Sequence, residues 1–254
     1  MINVIIIGTG SVSYHFSEVI LNRNGIRLIE ICGRKKSIPK YFNKSISYSN
    51  DINKIKIADI YLICVSDDAI DLISKKLNVN EKSIVIHTSG SIEMSCLSRH
   101  EKYGVLYPLQ TFTVNSLIEF KDIPIIIEAN SSIELCRVKK ISDIFSNKVI
   151  ECNSKQRLLI HISAVFANNF TNHMNVIAEE ILKNNNIDPS ILKPLVLETF
   201  KKTQYLKFKE VQTGPAKRND KITIEKHLNL LKETKYFDVY NKITEEIIKS
   251  NYEL

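Results

Sequence analysis

Short runs of apolar residues recur over residues 1–152, and several are followed by a segment with the spacing of an amphipathic helix. The runs are rich in isoleucine and valine and show no helical period, so they predict strands. Strands that are apolar on both faces are typical of parallel sheets covered by helices. The pattern therefore predicts a doubly wound α/β domain. Its predicted strands lie within residues 4–7, 26–32, 58–68, 84–86, 104–112, 123–130 and 147–153.

From Ser154 onward the pattern becomes helical, without a strand of comparable quality. Residues 156–183 are long enough for one helix of about seven turns. We therefore predict an α/β domain at 1–152 and an all-helical domain at 153–254. One face of the long helix is apolar and carries Leu159, Ile162, Phe166, Phe170, Met174, Ile177 and Ile181.

A second face of this helix carries His161, Asn168, Asn172 and Asn175, which are polar but uncharged. A solvated helix face normally carries lysine and glutamate. The face therefore predicts close contact with a substrate, with the first domain or with a second subunit. Asparagine side chains that merely pack between helices or lie at the surface are an equal alternative.

The stretch "NVIIIGTGSVSYHF" places Gly8 and Gly10 between a predicted strand and a predicted helix. This is the context in which GxGxxG binds the pyrophosphate of a dinucleotide, although Ser13 replaces the third glycine. A turn without a ligand is the competing interpretation. The motif predicts a Rossmann-type domain in which the cofactor contacts Gly8, Thr9, Gly10, Ser11 and Val12.

At the end of the second predicted strand, where NAD-binding proteins place a carboxylate, the chain has Gly33, Arg34, Lys35 and Lys36. Arginine and lysine suit the 2′-phosphate of NADP. The alternative is a solvated basic loop that binds no ligand. We predict NADP as the cofactor, with Arg34 and Lys35 in contact with it.

Small and polar residues also follow the next two predicted strands, and these are Ser66, Asp67, Thr88, Ser89 and Gly90. Ligands on doubly wound sheets bind beyond the carboxyl ends of the strands. We expect these residues to border one crevice with Gly10 and to bind the cofactor, with its nicotinamide near residues 87–90.

The chain has a net charge of +7 and a pI of about 9.0, but its cations are scattered among acidic residues. No block of five like charges occurs, which argues against a nucleic-acid binder. Five widely spaced cysteines without a CxxC pair predict reduced thiols and no metal site. With neither a signal peptide nor a membrane-length apolar run, we expect a soluble cytoplasmic protein without a membrane partner.

Near the C-terminus, "VQTGPAKRND" contains the turn signal Gly214-Pro215, which is followed by Arg218 and Asp220. A helix is predicted to resume after it, with Thr223 as its cap. This turn either links two helices or brings Arg218 over an anionic ligand.

Six motifs, in order, resemble one known family: "IIIGTGSVSYHF", "IYLICVSDDAI", "VIHTSGS", "YPLQTF", "IHISAVFANNF" and "TGPAKRNDKITIEKHL". The family consists of Rossmann-like proteins that carry a conserved C-terminal domain of unknown function. They are described as NADP oxidoreductases and are distantly similar to pyrroline-5-carboxylate reductase. The resemblance covers nearly the whole chain, and it implies an NADP-binding domain, a helical C-terminal domain and a homodimer, but no particular substrate.

Two positions depart from the family pattern. Tyr107 stands where relatives usually have a histidine before PLQTF, and Asn219 replaces the glycine of GPxxRGD. Tyrosine still offers a hydrogen bond, and asparagine tolerates a left-handed backbone. Positions that match the family are Ser89, Gly90, Pro108, Gln110, His161, Asn169, Gly214, Pro215, Arg218 and Asp220.

The leading hypothesis is an NADPH-dependent oxidoreductase that reduces a small carbonyl or imine compound. The hypothesis makes His161 the general acid, because imidazole titrates near neutral pH. Gln110 and Asn169 are assigned with His161 to the catalytic set, where they orient the substrate. Substrate contacts are assigned to Tyr107, Asn168 and Arg218, with Arg218 on a carboxylate. The alternative is a non-catalytic NADP-binding sensor or scaffold, which the loss of the histidine before PLQTF favours slightly.

Overall fold

In the computed structural model, which describes residues 1–114, 116 and 118–252, the strands form one eight-stranded sheet. The strand order is β3-β2-β1-β4-β5-β6-β7-β8. The strands are β1 (Ile2–Ile7), β2 (Ile26–Cys32), β3 (Tyr48–Ser49), β4 (Ile60–Ile63), β5 (Ile84–His87), β6 (Tyr103–Pro108), β7 (Ile125–Ala129) and β8 (Val149–Glu151).

All neighbouring strands are parallel except β6 and β7, which are antiparallel. The order of the first six strands is that of the Rossmann fold, so the α/β prediction is confirmed. The direction of winding reverses between β1 and β4. Ligands of such sheets bind at this point, beyond the carboxyl ends of the strands.

Each predicted strand has a counterpart in the sheet. The short strand β3 was not predicted, because its segment is polar and has only two residues in the ladder. The strand predicted within residues 104–112 ends at Pro108. Residues beyond it leave the sheet, since proline cannot donate to a ladder.

Two apolar layers cover the sheet because successive side chains of a strand point to opposite faces. Val4 and Ile6 belong to one buried cluster, and Ile5 and Ile7 belong to the other. This two-sided burial explains why the first strand reads as an unbroken apolar run. The helices of the α/β region are α1 (Ser11–Leu21), α2 (Ile70–Lys76) and α3 (Ser132–Phe145).

The predicted long helix consists of three successive segments. They are α4 (Ser154–Ala164), a π-helical segment (Val165–Phe170) and α5 (Thr171–Lys183). The helices that follow are α6 (Lys193–Lys202), α7 (Phe208–Val211), α8 (Lys221–Leu231) and α9 (Phe237–Tyr252). After β8 the described residues contain no further strand, so the prediction of a helical C-terminal region is confirmed.

The chain divides into two compact units, Met1–Ala167 and Asn168–Leu254. The division lies after α4, whereas the sequence-based boundary is at 152/153. Helix α4 belongs to the first unit because its buried Arg157 bonds to the backbone of Ser89 and Ile92 and to the carboxylate of Glu128. Sequence periodicity cannot show such hydrogen bonds between residues that are distant in the chain.

In the second unit, Asn219 has a φ angle of 52° and Gly214 one of 100°, so asparagine does support a left-handed turn here. The predicted cap Thr223 is wrong. Helix α8 begins at Lys221, and its N-cap is Asp220, whose carboxylate accepts a hydrogen bond from the backbone N–H of Thr223. None of the helices within the described ranges is long and apolar enough to cross a membrane.

Candidate cofactor and active site

Gly8 connects β1 to the turn before α1 and is held against the neighbouring strand. Its φ angle is +123°, and a Cβ atom built on it would lie 2.0 Å from the carbonyl oxygen of Cys64. Its N–H donates to the carbonyl of Cys32 at 2.8 Å. The position therefore requires glycine for both its backbone conformation and its close packing.

Gly10 is the N-cap of α1, and no cap side chain bonds to the first turn of the helix. A Cβ atom at this position would meet no atom within 4 Å. The helix N-terminus, with its partial positive charge and free N–H groups, is thus open in front of Gly10. This is the geometry with which helix N-termini bind phosphate.

Ser13 occupies the place of the third glycine and is fully buried. Its hydroxyl donates to the carbonyl of Cys64 at 3.2 Å, which bonds α1 to the residue that follows β4. The small side chain keeps the helix close to the sheet, and its hydroxyl is satisfied. The departure from GxGxxG therefore leaves the strand-turn-helix geometry intact.

Arg34, Lys35 and Lys36 form an exposed turn just beyond the carboxyl end of β2. Within the described part of the chain, none of the three forms an ion pair with an acidic side chain. The carboxylate within β2, that of Glu30, is buried and accepts from the backbone N–H of Lys56 at 2.8 Å. The cations are thus available to an anionic ligand.

Three of the predicted cofactor residues, Asp67, Thr88 and Ser89, form hydrogen bonds in and between the loops after β4 and β5. Asp67 accepts a hydrogen bond from the hydroxyl of Ser91. The Ser89 hydroxyl oxygen accepts from the N–H groups of Ser91 and Ile92, both at 3.1 Å. Thr88 donates to the carbonyl of Ile63 at 3.3 Å. Ser66 is exposed at the start of the same β4 loop.

His87 ends β5 and is completely buried. Its Nδ1 accepts a hydrogen bond from the backbone N–H of Ser89 at 3.2 Å, which places the ring proton on Nε2. Burial, followed by the positive charge of Arg157, lowers the pKa of His87 to about 3. The ring is therefore neutral near pH 7 and supports the loop instead of exchanging protons.

Tyr107 and His161 meet at the carboxyl edge of the sheet. The Tyr107 phenol oxygen and His161 Nδ1 are 3.0 Å apart and share a hydrogen bond, and the two rings pack edge to face at 5.8 Å. Gly90 lies directly against both rings, since a Cβ atom there would be 2.7 Å from Tyr107 Cζ and 2.8 Å from His161 Nδ1. Both side chains are partly exposed.

Burial raises the pKa of Tyr107, and the positive charge of Arg157 opposes that rise. The phenol is consequently protonated at neutral pH. A neutral phenol in contact with an imidazole can serve as a donor pair for general acid catalysis, because both groups carry transferable protons.

Among the described residues, the predicted residue Gln110 forms no hydrogen bond with this pair. Gln110 is exposed beyond the end of β6, where its side chain accepts from the N–H of Thr111 at 2.8 Å. Asn168, Asn169 and Arg218 are exposed residues of the second unit, and their roles stay predictions.

The helical face that was predicted to group His161 with Asn168 and Asn172 assumes an uninterrupted period of 3.6 residues. The segment between them is π-helical over Val165–Phe170 and has i→i+5 hydrogen bonds. The assumption of a regular α-helix through Val165–Phe170 is therefore wrong. Single-turn π segments in helices occur frequently at functional sites.

Sequence reasoning missed Arg157, which is the largest fully buried side chain of the described residues. It lies one helical turn before His161 and contacts the loop that contains Gly90. The sequence contains one signal for Arg157: it is a cation four residues before His161, on a helix face that is otherwise uncharged.

Comparison with known proteins agrees with the fold. Residues 123–247 match the model of a domain of unknown function, DUF2520. No curated protein sequence matches the chain. The crystal structure of a "putative NADP oxidoreductase", BF3122 from Bacteroides fragilis, is 31% identical, with a TM-score of 0.88 and 98% of each chain covered.

Two more distant structures share the fold. Protein TM1727 from Thermotoga maritima is 21% identical with a TM-score of 0.73, and the match covers 97% of this chain and 98% of that one. Pyrroline carboxylate reductase from Plasmodium falciparum, solved with NADP bound, is 16% identical with a TM-score of 0.61 and 98% of each chain covered.

The fold and the glycine turn define a Rossmann-type protein with a helical C-terminal region. The chain belongs to the family of Rossmann-like proteins that carry the C-terminal domain of unknown function and that include BF3122. The family resemblance drawn from the six sequence motifs is thereby confirmed.

Proposed function

We propose that this protein is an NADPH-dependent oxidoreductase that reduces a small carbonyl or imine compound. The observation that carries the proposal is the Tyr107–His161 pair, which lies against Gly90 at the edge of the sheet where Rossmann proteins bind their ligands. The description of BF3122 as a "putative NADP oxidoreductase" supports the reaction class.

The residues at the first βα turn fit a dinucleotide. Gly10 leaves open space in front of the N-terminus of α1, where a pyrophosphate is stabilised by backbone N–H groups. Arg34, Lys35 and Lys36 are exposed at the end of β2, where they are positioned for a 2′-phosphate. The NADP complex of the Plasmodium pyrroline carboxylate reductase supports the same cofactor class.

NADPH, when bound, supplies a hydride. Reduction of a carbonyl or an imine also needs a proton on oxygen or nitrogen, and we assign that proton to the Tyr107–His161 pair. If His161 carries its proton on Nδ1, it donates to Tyr107, and the phenol O–H is free to donate. If the proton is on Nε2, Tyr107 donates to Nδ1, and the Nε2–H is free. Either tautomer leaves one donor for a substrate.

We also propose that the protein is a homodimer formed through its C-terminal helices. Both buried apolar clusters lie in the first unit. Among the described residues of the second unit, the buried hydrophobic side chains are only Ala216, Ile224 and Tyr236. Helices with so small a core need another surface to cover their exposed apolar residues, and a two-fold self-contact is the commonest solution. Those residues include Ile187, Ile191, Leu195, Leu197, Phe200, Tyr205, Leu206, Phe208, Ile222 and Leu230.

The oxidoreductase proposal is tested by incubating the protein with NADPH and a panel of 2-oxo acids and cyclic imines. We expect turnover of at least one compound. His161→Asn is expected to lower that rate by roughly 100-fold or more, the usual contribution of a positioned proton donor, and to leave NADPH affinity unchanged. The matched control is His173→Asn, which changes an exposed histidine of α5 and is expected to keep the wild-type rate.

Wild-type rates in folded His161→Asn would contradict the assigned proton donor. Tight NADPH binding without turnover of any compound would instead favour the non-catalytic sensor. Tyr107→Phe tests the contribution of Tyr107 apart from that of His161, because it keeps the aromatic ring and removes only the hydroxyl group.

A further inference from the structure

Arg157 is a charged side chain with no exposed surface, and its guanidinium group is bonded on two sides. Its Nη1 donates to the carbonyl oxygens of Ser89 and Ile92, at 3.0 Å and 2.8 Å, and its buried Nε has no hydrogen-bond partner among the described residues. Its Nη2 donates to Glu128 Oε2 at 3.1 Å and to the hydroxyl oxygen of Ser154 at 3.0 Å. Removing a charged group from water costs free energy, so a buried guanidinium group requires such a set of hydrogen-bond partners.

The partners of Arg157 come from three different elements. Ser89 and Ile92 belong to the loop after β5, Glu128 belongs to β7, and Ser154 begins α4. Ser154 also donates from its backbone N–H to Glu128 at 2.9 Å. The start of α4 is therefore fixed both to the sheet and to the loop.

His161 follows Arg157 by four residues, so the two side chains lie on the same face of α4. Gly90, which contacts the rings of Tyr107 and His161, lies between the two loop residues whose carbonyls Arg157 binds. One guanidinium group thus holds the helix that carries His161 and the loop against which the pair packs.

We propose that Arg157 is a positioning residue for the Tyr107–His161 hydrogen bond. The inference rests on the proposed function of this pair, but it concerns the geometry of the pair and not the reaction. Arg157 acts through His161 and the loop, and it is not assigned a contact with substrate or cofactor. The effect of its charge on the pKa of Tyr107 is consistent with this proximity.

The test measures the ¹⁵N resonance of His161 Nδ1 by NMR in histidine-labelled protein at fixed pH. The resonance is assigned by its absence in His161→Asn, and Tyr107→Phe gives its value without the hydrogen bond. The test variant combines Arg157→Met with Glu128→Gln, because the second change avoids leaving a buried carboxylate without its partner.

Arg137 provides the matched control. It lies on α3 and bridges the carbonyl oxygens of Lys82 and Asp59, at 2.9 Å and 3.1 Å, at the amino edge of the sheet. Like Arg157, it also lies near a carboxylate, that of Glu134 at 3.6 Å. Arg137→Met therefore removes a similar set of contacts far from the pair.

In the Arg157→Met/Glu128→Gln variant, we expect the His161 resonance to move to the value measured in Tyr107→Phe. Adding Tyr107→Phe to this double variant is then expected to leave the resonance unchanged. The Arg137→Met resonance is expected to stay at the wild-type value, even where both variants melt at a lower temperature. An unchanged resonance in the folded double variant would overturn the proposal.

If the double variant does not fold, Arg157→Lys decides the question. Lysine keeps the charge beside Glu128, but a single ammonium group cannot replace the planar fork. We expect a shift of the His161 resonance in Arg157→Lys, and the wild-type value would overturn the proposal. Failure of the proposed function is distinguishable, since the resonance reports on the pair whether or not any substrate is turned over.

Discussion

The phenol oxygen of Tyr107 lies 3.0 Å from Nδ1 of His161, although the two residues are 54 positions apart in the chain. Tyr107 stands where the family resemblance implies a histidine. Its hydroxyl group nevertheless forms a hydrogen bond in contact with Gly90. The departure therefore retains a proton-carrying group at this edge of the sheet.

Replacement of Arg34 by alanine is expected to weaken NADPH binding by about 1.5 to 3 kcal/mol, the range for hydrogen bonds to charged groups. NADH binding should change little, because NADH lacks the 2′-phosphate. Fluorescence titration with each cofactor measures both affinities. The control Arg23→Ala removes an exposed arginine just beyond α1 and should affect neither. Equal losses for the two cofactors in Arg34→Ala would rule out 2′-phosphate recognition by this residue.

The two glycines of the first turn are expected to respond differently to alanine. Gly10→Ala fits the backbone and meets no atom within 4 Å, so the melting temperature should be retained. Its methyl group occupies the space through which a pyrophosphate approaches, so NADPH affinity should fall. Gly8→Ala should instead lower the free energy of unfolding by at least about 1 kcal/mol, because of its positive φ and the contact with Cys64. Unchanged NADPH affinity in Gly10→Ala would place the cofactor elsewhere.

Stability is expected to fall with acidification because of His87. Burial and Arg157 lower its folded-state pKa from 6.5 to about 3. Between these values the unfolded chain binds a proton that the folded chain does not, so the free energy of unfolding decreases as the pH falls. The maximum slope is about 1.4 kcal/mol per pH unit.

Urea unfolding at pH 7 and pH 5.5 tests this dependence against a His87→Asn variant, which lacks the titrating ring. The wild type should lose about 1 kcal/mol more than the variant between the two conditions. The same loss in both proteins would show that His87 is not the titrating group.

Light scattering should give twice the 29.1 kDa chain mass at micromolar concentration. Ile191→Glu/Leu195→Glu places two charges on the exposed apolar surface of the second unit, and we expect it to shift the mass towards that of the monomer. The control is Leu72→Glu, at an exposed leucine of α2 in the first unit, which should leave the mass unchanged. A wild-type monomer would contradict the proposed dimer.

The sheet could be predicted from the sequence because a buried parallel strand leaves a local signal. Residues 4–7 are apolar without interruption since alternate side chains enter different clusters. The glycine turn and the cations after β2 were predicted from their fixed places relative to the strands. Strand β3 left no such signal because only Tyr48 and Ser49 join the ladder.

The candidate site was predicted only in part because its contacts are long-range. Sequence reasoning singled out Tyr107 and His161 separately, but not their hydrogen bond. It missed Arg157, since burial of a charged residue depends on partners from distant elements. The π-helical segment was missed as well, because periodicity assumes a regular helix.

A crystal structure of the protein with NADP bound tests the central claim most directly. The decisive quantity is the distance from the nicotinamide C4 atom to the nearer of the Tyr107 hydroxyl and the His161 Nε2. We predict a separation that one small substrate molecule spans, with the free donor of the pair directed at the space in front of C4. A separation of more than about 10 Å would contradict the account, because proton transfer needs hydrogen-bond reach or one bridging water.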